Sequence, residues 1–130
     1  MTILDYWEQR LTNWALWETG SRSVGVVSFD RLWWESPPPR PIPLVGEALD
    51  TDRLLHQLHR LDLDGVRQYE AVRIHYLWTG SEEMKAAQAG IPARTIRDRV
   101  LTAKLRLENL NQQMRRRRNP QYLVQSAGKV

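Results

Sequence analysis

Apolar residues recur at helical spacing at the beginning of the chain. Residues 4–17 are predicted to form a helix, which Gly20 is expected to end. One face of this helix carries four apolar residues at the spacing i, i+4, i+7 and i+8: Trp7, Leu11, Trp14 and Ala15. Packing in a core or docking on a partner explains tryptophans on so short a helix better than a ligand site does.

The helical periodicity disappears between residues 21 and 49. Val24 and the residues up to Phe29 would suit a short strand, although no partner strand is evident nearby. The Trp33-Trp34 pair is followed by a proline-rich stretch, residues 36–43, which is typical of polyproline II. We interpret this stretch as a stiff linker, and a ligand for a partner's aromatic groove is the alternative.

Two further helices are predicted after this irregular segment. Asp50 suits the N-cap of a helix over residues 50–62, whose leucines share one face. Asp64 suits the cap of a second helix over residues 65–79, with Gly80 as its C-terminal stop. His56 and His59 lie three residues apart on the first helix, but no third ligand has a suitable spacing, so no metal site is predicted.

The most informative pattern follows Gly80. Ser81 is predicted to cap a helix over residues 82–89, Gly90 and Ile91 form a turn, and Pro92 begins a last helix that continues to at least Leu110. A helix-turn-helix needs a small residue, a turn glycine and apolar residues that lock its second helix. The sequence supplies them in that order: Ala86, Gly90, Ile91, Ile96 and Val100.

Helical geometry then predicts which residues of the last helix face a ligand. The predicted DNA-binding residues on this helix are Ala93, Arg94, Thr95, Arg97, Asp98, Leu101 and Lys104. Arginine donates two hydrogen bonds to guanine or grips phosphate, and aspartate accepts one from cytosine. The alternative is an ordinary helical hairpin whose arginines are only solvated.

The charges are distributed unevenly along the chain. The formal net charge is +4, yet residues 1–93 have 9 basic against 13 acidic residues, whereas residues 94–118 have 9 against 2. A local basic surface suits a polyanion. Arg115 and Arg116, within the run 115–118, are predicted to contact phosphates, and a solubilising tail is the alternative.

Composition excludes several classes of protein. A chain of 130 residues fits one modest core, and no apolar run is long enough for a membrane span. The N-terminus lacks the pattern of a signal peptide, so we expect a cytoplasmic protein. Without cysteine there is no thiolate zinc site or cysteine nucleophile, and no other catalytic motif is present. We therefore expect no enzyme activity and no cofactor.

The layout resembles that of region 4 of bacterial sigma factors. The leucine helix over residues 54–61, the acidic break 62–64, the run Arg73-Ile74-His75-Tyr76-Leu77-Trp78-Thr79-Gly80 and the Gly90-Ile91 turn carry this resemblance. More narrowly, the chain looks like phage late-gene antitermination Q proteins of the sigma-region-4-like type, which also begin with a short tryptophan-containing helix. Some Q lineages carry a cysteine-based zinc site, and this chain has no cysteine.

The resemblance implies a mainly α protein in three parts: residues 1–49, a helical DNA-binding domain over residues 50–114, and a flexible basic tail over residues 115–130. It implies binding of double-stranded DNA near a late promoter, with two copies on the DNA. It also implies binding to bacterial RNA polymerase, at its flap region and sigma factor, and readthrough of terminators. The acidic N-terminal part then offers four candidate polymerase contacts: Trp7, Trp14, Trp33 and Trp34.

Three other functions use the same residues differently. A sigma-like activator would use the last helix to affect initiation. A small-terminase-like packaging protein would combine DNA binding with a ring-forming segment, although no long heptad repeat lies outside residues 93–114. A protein-interaction domain would instead use the proline-rich stretch and the tryptophans.

Overall fold

The protein is mainly α-helical, as the sequence predicts. A computed structural model describes residues 1–23 and 42–118. These residues form five helices and no strand: α1 (Ile3–Ser23), α2 (Val45–Leu61), α3 (Leu63–Leu77), α4 (Glu82–Ala89) and α5 (Ala93–Arg118). The predicted strand at Val24, the Trp33-Trp34 pair and most of the proline-rich stretch lie outside the described residues.

The first two helices are longer than predicted. Helix α1 continues through Gly20, which was expected to end it. A glycine inside a helix costs only about 1 kcal/mol, so neighbouring turns can carry the helix past it. Helix α2 begins at Val45 rather than at Asp50, and Leu44 at its N-terminus provides no side-chain cap. Asn13 of α1 instead holds the residue that precedes the helix, since its side-chain amide accepts from the Leu44 N–H at 2.8 Å and donates to the Leu44 carbonyl at 3.0 Å.

Asp62 caps α3, so the prediction of Asp64 as the cap is wrong. The Asp62 carboxylate accepts a hydrogen bond from the Gly65 N–H at 2.7 Å. The same carboxylate accepts two hydrogen bonds from Arg106 of α5, at 2.8 and 3.1 Å. The Arg106 guanidinium, together with the Gly65 N–H, holds the pKa of Asp62 below its ordinary value. The cap therefore also fixes α5 against the junction of α2 and α3.

The main core joins α1, α2, α3 and α5. It contains ten buried residues: Trp7, Leu11, Trp14, Leu54, Leu55, Leu58, Val72, Ala103, Leu107 and Leu110. Burying one large apolar side chain contributes roughly 1.5 to 3 kcal/mol. The N-terminal helix is therefore an integral part of the same core as the helices that follow it.

Both tryptophans at the centre of α1 are core residues. Trp7 and Trp14 are 0% exposed. Each indole N–H donates to a carboxylate, Trp7 to Glu108 at 2.7 Å and Trp14 to Asp52 at 3.2 Å. The prediction that Trp7 and Trp14 contact polymerase is therefore wrong for this fold, because neither side chain reaches the surface.

A polar cluster joins α1, α3 and α5 at the side of the core. Glu8 accepts hydrogen bonds from the Tyr76 hydroxyl and from the Lys104 ammonium, the latter at 2.9 Å. Partial burial would raise the pKa of Glu8, but the bonds from Tyr76 and Lys104 outweigh it and lower the pKa. Burial, reinforced by the Glu8 carboxylate, raises the pKa of Tyr76 strongly.

We expect Gly65→Ala to destabilise the protein by several kcal/mol. A Cβ atom at Gly65 would overlap the carbonyl oxygen of Leu58, which is backbone and cannot move aside. Gly46→Ala in α2 is the matched control, because a Cβ there meets no atom within 4 Å and alanine favours the helix by about 0.5 to 1 kcal/mol. Urea unfolding of both variants measures the difference. Equal stability of the two variants would contradict the close approach of α2 and α3.

We expect Glu8→Gln to lower the free energy of unfolding at neutral pH by less than about 1 kcal/mol, because the Glu8 side chain is half exposed. The folded-state pKa of Glu8 is lowered, so its contribution is present above the unfolded pKa and disappears as the pH falls through the folded pKa. Urea unfolding from pH 7 to pH 3 should show the two proteins converging in acid. Glu70→Gln, at an exposed residue of α3, serves as the control. If this variant shows the same pH trend, the pH dependence of stability does not come from Glu8.

Candidate nucleic-acid interface

A three-residue turn, Gly90 to Pro92, connects α4 and α5. The Ser81 hydroxyl accepts from the Met84 N–H at 3.2 Å, which confirms Ser81 as the cap of α4. Gly90 adopts a φ of 70°, in the left-handed region that favours glycine. The N–H groups of Gly90 and Ile91 both donate to the Ala86 carbonyl. The predicted Ser81 cap and the predicted turn at Gly90 and Ile91 are therefore correct.

A second apolar cluster fixes the beginning of α5. Ile96 and Val100 are buried against Ala71 and Ile74 of α3. Three half-buried residues of α4 and the turn pack on this cluster: Ala86, Ala89 and Ile91. Helix α4 has no fully buried residue of its own, so its position depends on α3 and α5.

Most of the predicted DNA-binding residues of α5 share one accessible face. Arg94, Arg97, Asp98 and Leu101 are exposed, whereas Ala93 and Thr95 at the edge of this face are half-buried. We call the first three turns of this side of α5 the outer face. The buried residues Ile96 and Val100 lie on the opposite side of the helix, so packing leaves the outer face open.

Lys104 does not belong to the outer face, and its prediction as a DNA-binding residue is wrong. Its side chain is only 14% exposed and its Nζ atom lies 2.9 Å from the Glu8 carboxylate. Sequence spacing placed Lys104 one helical turn beyond Leu101, but α1 packs along this flank of α5 and covers it.

Two features of the outer face were not predicted. The Arg97 Nε atom lies 4.0 Å from a carboxylate oxygen of Glu82, the first residue of α4. Because both side chains are about half exposed and no hydrogen bond joins them, this contact is weak. Leu105, which is 49% exposed, continues the outward side of α5 one turn beyond Leu101. Leucine at these positions provides an apolar contact next to the arginines.

His75, a residue of α3, lies beneath the outer face and next to α4. Burial lowers the pKa of His75, and the neighbouring Lys85 lowers it further. The Lys85 ammonium donates to the His75 carbonyl at 2.9 Å. The cavity next to His75 has a volume of about 10 Å³, which is the space of a single water molecule. Among the described residues, the cavity at this end of the protein is thus too small for a ligand larger than water.

The basic run 115–118 is the last turn of α5, so the prediction of a flexible tail is wrong for these four residues. Arg115 and Arg116 are exposed. A helical rise of 1.5 Å per residue places them roughly 30 Å along the axis from Arg94. The two groups of arginines therefore lie at opposite ends of one straight helix. Residues 119–130, the rest of the predicted tail, lie outside the described residues.

Within the described part of the chain, no group of three His, Asp or Glu side chains is arranged to hold a metal ion. Over the same residues, no helix combines the length and apolarity needed to cross a bilayer.

Comparisons with family models, with curated proteins and with solved structures give no match to this chain. Inferences about its function therefore rest on the position and chemistry of its own residues.

Proposed function

We propose that α4, the Gly90 turn and α5 form a helix-turn-helix that binds duplex DNA, with the beginning of α5 in the major groove. The observation that carries this proposal is the division of α5 into two sides. Ile96 and Val100 hold the helix on α3, while Arg94 and Arg97 extend from the opposite or flanking side within the first two turns. A groove about 12 Å wide admits a helix presented in this way.

Each residue of the outer face has a chemical role in this proposal. Arg94 and Arg97 donate paired hydrogen bonds to guanine or bind phosphate oxygens. Asp98 accepts from the amino group of cytosine, and Leu101 contacts a thymine methyl group. Ala93 and Thr95 allow close approach of the backbone at the edge of the groove.

Arg115 and Arg116 contribute less to DNA binding in this arrangement. A straight helix that enters the groove with its first turns leaves it again, because the groove winds around the DNA axis. At a separation of roughly 30 Å, the last turn of α5 lies beyond the segment that Arg94 contacts. Phosphate contacts on the same stretch of DNA are therefore assigned to the beginning of α5.

The biological role that we propose is phage transcription antitermination in the bacterial cytoplasm. The support is the resemblance in layout to Q proteins, together with the turn and outer face described above. In this role the protein binds DNA near a late promoter and acts on RNA polymerase so that it reads through terminators. Because Trp7 and Trp14 are buried, polymerase contacts must come from other residues, and the Trp33-Trp34 candidates lie outside the described part of the chain.

We expect Arg94→Ala and Arg97→Ala each to weaken specific DNA binding by roughly 1 to 3 kcal/mol, because each change removes a bidentate donor. The DNA is first selected from a random duplex pool with the wild-type protein, and affinity is then measured on selected and random duplexes over a range of salt concentrations. Arg117→Gln, with the same loss of charge at the far end of α5, is the control.

Equal losses of affinity for selected and random DNA would indicate that the two arginines contact phosphates. The slope of log affinity against log salt concentration would then fall by about 0.9 for each arginine. A pool that yields no enriched sequence, together with affinity that does not respond to salt, would overturn the helix-turn-helix proposal.

We expect the wild-type protein to raise readthrough by bacterial RNA polymerase on a template that carries the DNA downstream of its gene and then a terminator. Arg94→Ala should lose this effect, because loading depends on DNA. The measurement is the fraction of full-length transcript with and without the upstream DNA. Increased initiation with unchanged termination would instead indicate an activator, and DNA binding without any effect on transcription would favour a packaging protein.

A further inference from the structure

A cleft of about 350 Å³ lies between α1, α2 and the last turns of α5. Tyr6 and Arg10 of α1 line one side, and Leu54 forms part of its apolar floor. Arg115 and Arg118 of α5 lie at its margin. Its volume falls within the range of ligand-binding sites, and it lies at the end of α5 opposite to the outer face.

Arg10 is the unusual residue of this cleft. It is only 6% exposed, and burial of a charged side chain is costly unless the charge is paired. Its Nε atom donates to the Thr51 hydroxyl at 3.0 Å and one terminal nitrogen, Nη1, donates to the Tyr6 hydroxyl at 3.4 Å. Its guanidinium carbon lies 4.7 Å from the centre of the Trp7 ring.

None of these partners is an anion. In the described part of the chain, Arg10 has no carboxylate within ion-pair distance, and its second terminal nitrogen, Nη2, has no hydrogen-bond acceptor. The hydroxyl groups and the Trp7 ring fix the guanidinium plane. The Glu108 carboxylate acts on the charge of Arg10 only from beyond ion-pair distance, and it is held by hydrogen bonds from Trp7 and Gln112. A rigid, buried guanidinium with a free edge on a cleft is suited to one incoming carboxylate.

The other charges of the cleft limit the anion that it accepts. Arg115 and Arg118 add positive charge at the margin, whereas Glu47 and Asp50 add negative charge. Asp50 lies 3.6 Å from Arg118, so these two charges partly compensate each other. The lining of this cleft therefore carries only a small excess of positive charge, which favours one carboxylate over a ligand with several phosphate groups.

A second cleft of about 300 Å³ adjoins the first and shares Tyr6, Asn111 and Arg115 with it. Its other residues include Met1 and Ile3, two exposed apolar side chains, and Glu108. The Glu108 carboxylate is occupied by hydrogen bonds from Trp7 and Gln112. The two clefts together offer a cationic end next to an apolar end.

We propose that these clefts bind an acidic peptide segment of a protein partner, with a carboxylate on Arg10 and Arg115 and a neighbouring apolar side chain against Ile3. The two ends of α5 would then serve different ligands, DNA at Arg94 and protein at Arg115. The roughly 30 Å between them leaves room for both at once. This site does not depend on the proposed DNA binding, because none of its residues belongs to the outer face.

The test uses the full chain labelled with ¹⁵N and a blocked peptide of sequence SLDDLDS, with SLNNLNS as the uncharged peptide. The indole N–H signal of Trp7, next to Arg10, reports on the cleft, and that of Trp14, bonded to Asp52, is the internal reference. Addition of SLDDLDS should shift the Trp7 signal in a saturable manner without moving the Trp14 signal. SLNNLNS should bind at least tenfold more weakly.

Two variants locate the site. Arg10→Met retains the packing of the stem and removes the charge, and Arg115→Gln removes a charge at the exposed margin without touching the core. Each should weaken the peptide at least fivefold, while Arg117→Gln, which lines neither cleft, should retain it. If Arg10→Met fails to fold, a comparison of peptide affinity between Arg115→Gln and Arg117→Gln still tests the proposed site.

Three results would overturn the proposal. One is the absence of a Trp7 shift with SLDDLDS at millimolar concentration. Another is an equal loss of affinity in Arg115→Gln and Arg117→Gln, which would indicate only general attraction to a basic helix end. The third is a shift with inorganic phosphate but not with the peptide, which would make the cleft a phosphate site. Loss of DNA binding in Arg94→Ala would not change any of these results.

Discussion

The packing of α5 against α3 is the contact on which the rest of the structure depends. Two apolar clusters lie along it, one with Ile96 and Val100 and the other with Ala103 and Leu107. Arg106 extends the contact to the N-terminus of α3 through Gln68 and Asp62. Because successive residues of α5 meet earlier and earlier residues of α3, the two helices run in opposite directions. The short α4 and the outer face are held in place by this pair.

Helix α1 closes the remaining side of this arrangement. Its tryptophans fill the space between α2 and α5, and each indole finds a carboxylate at the edge of the core. These acceptors matter because burial of an indole N–H without a hydrogen-bond partner is costly. The same helix brings Glu8 to Lys104 and Arg10 to Thr51, so it removes one cation from the surface of α5 and buries another beside the cleft. The N-terminal helix thus shapes both ends of α5.

A long helix with different environments at its two ends offers a simple route to two binding surfaces. At its beginning, arginines and a leucine lie on an exposed surface beside a cavity of only about 10 Å³. At its end, the arginines border clefts formed with α1 and α2, which suit a peptide side chain. The helix between them is rigid because it is packed along its length. The proposed DNA-binding surface and the proposed peptide site therefore lie at separate ends of α5.

The local signals of the sequence determined the helical class, the Ser81 cap, the Gly90 turn and the burial of Ile96 and Val100. These features depend on interactions within a few residues, so spacing and residue type are sufficient to predict them. The outward position of Arg94 and Asp98 follows from the same periodicity. By contrast, only the tertiary structure decided that α2 begins at Val45, since a side chain from α1 holds Leu44 immediately before it. It also decided that Lys104 is covered and that Trp7 and Trp14 are core residues. The same holds for Arg10, whose buried position beside a cleft depends on helices distant in sequence. Periodicity identifies the face of a helix that is apolar, but it does not identify which neighbouring helix covers a flank, because that is set by packing between segments far apart in the chain.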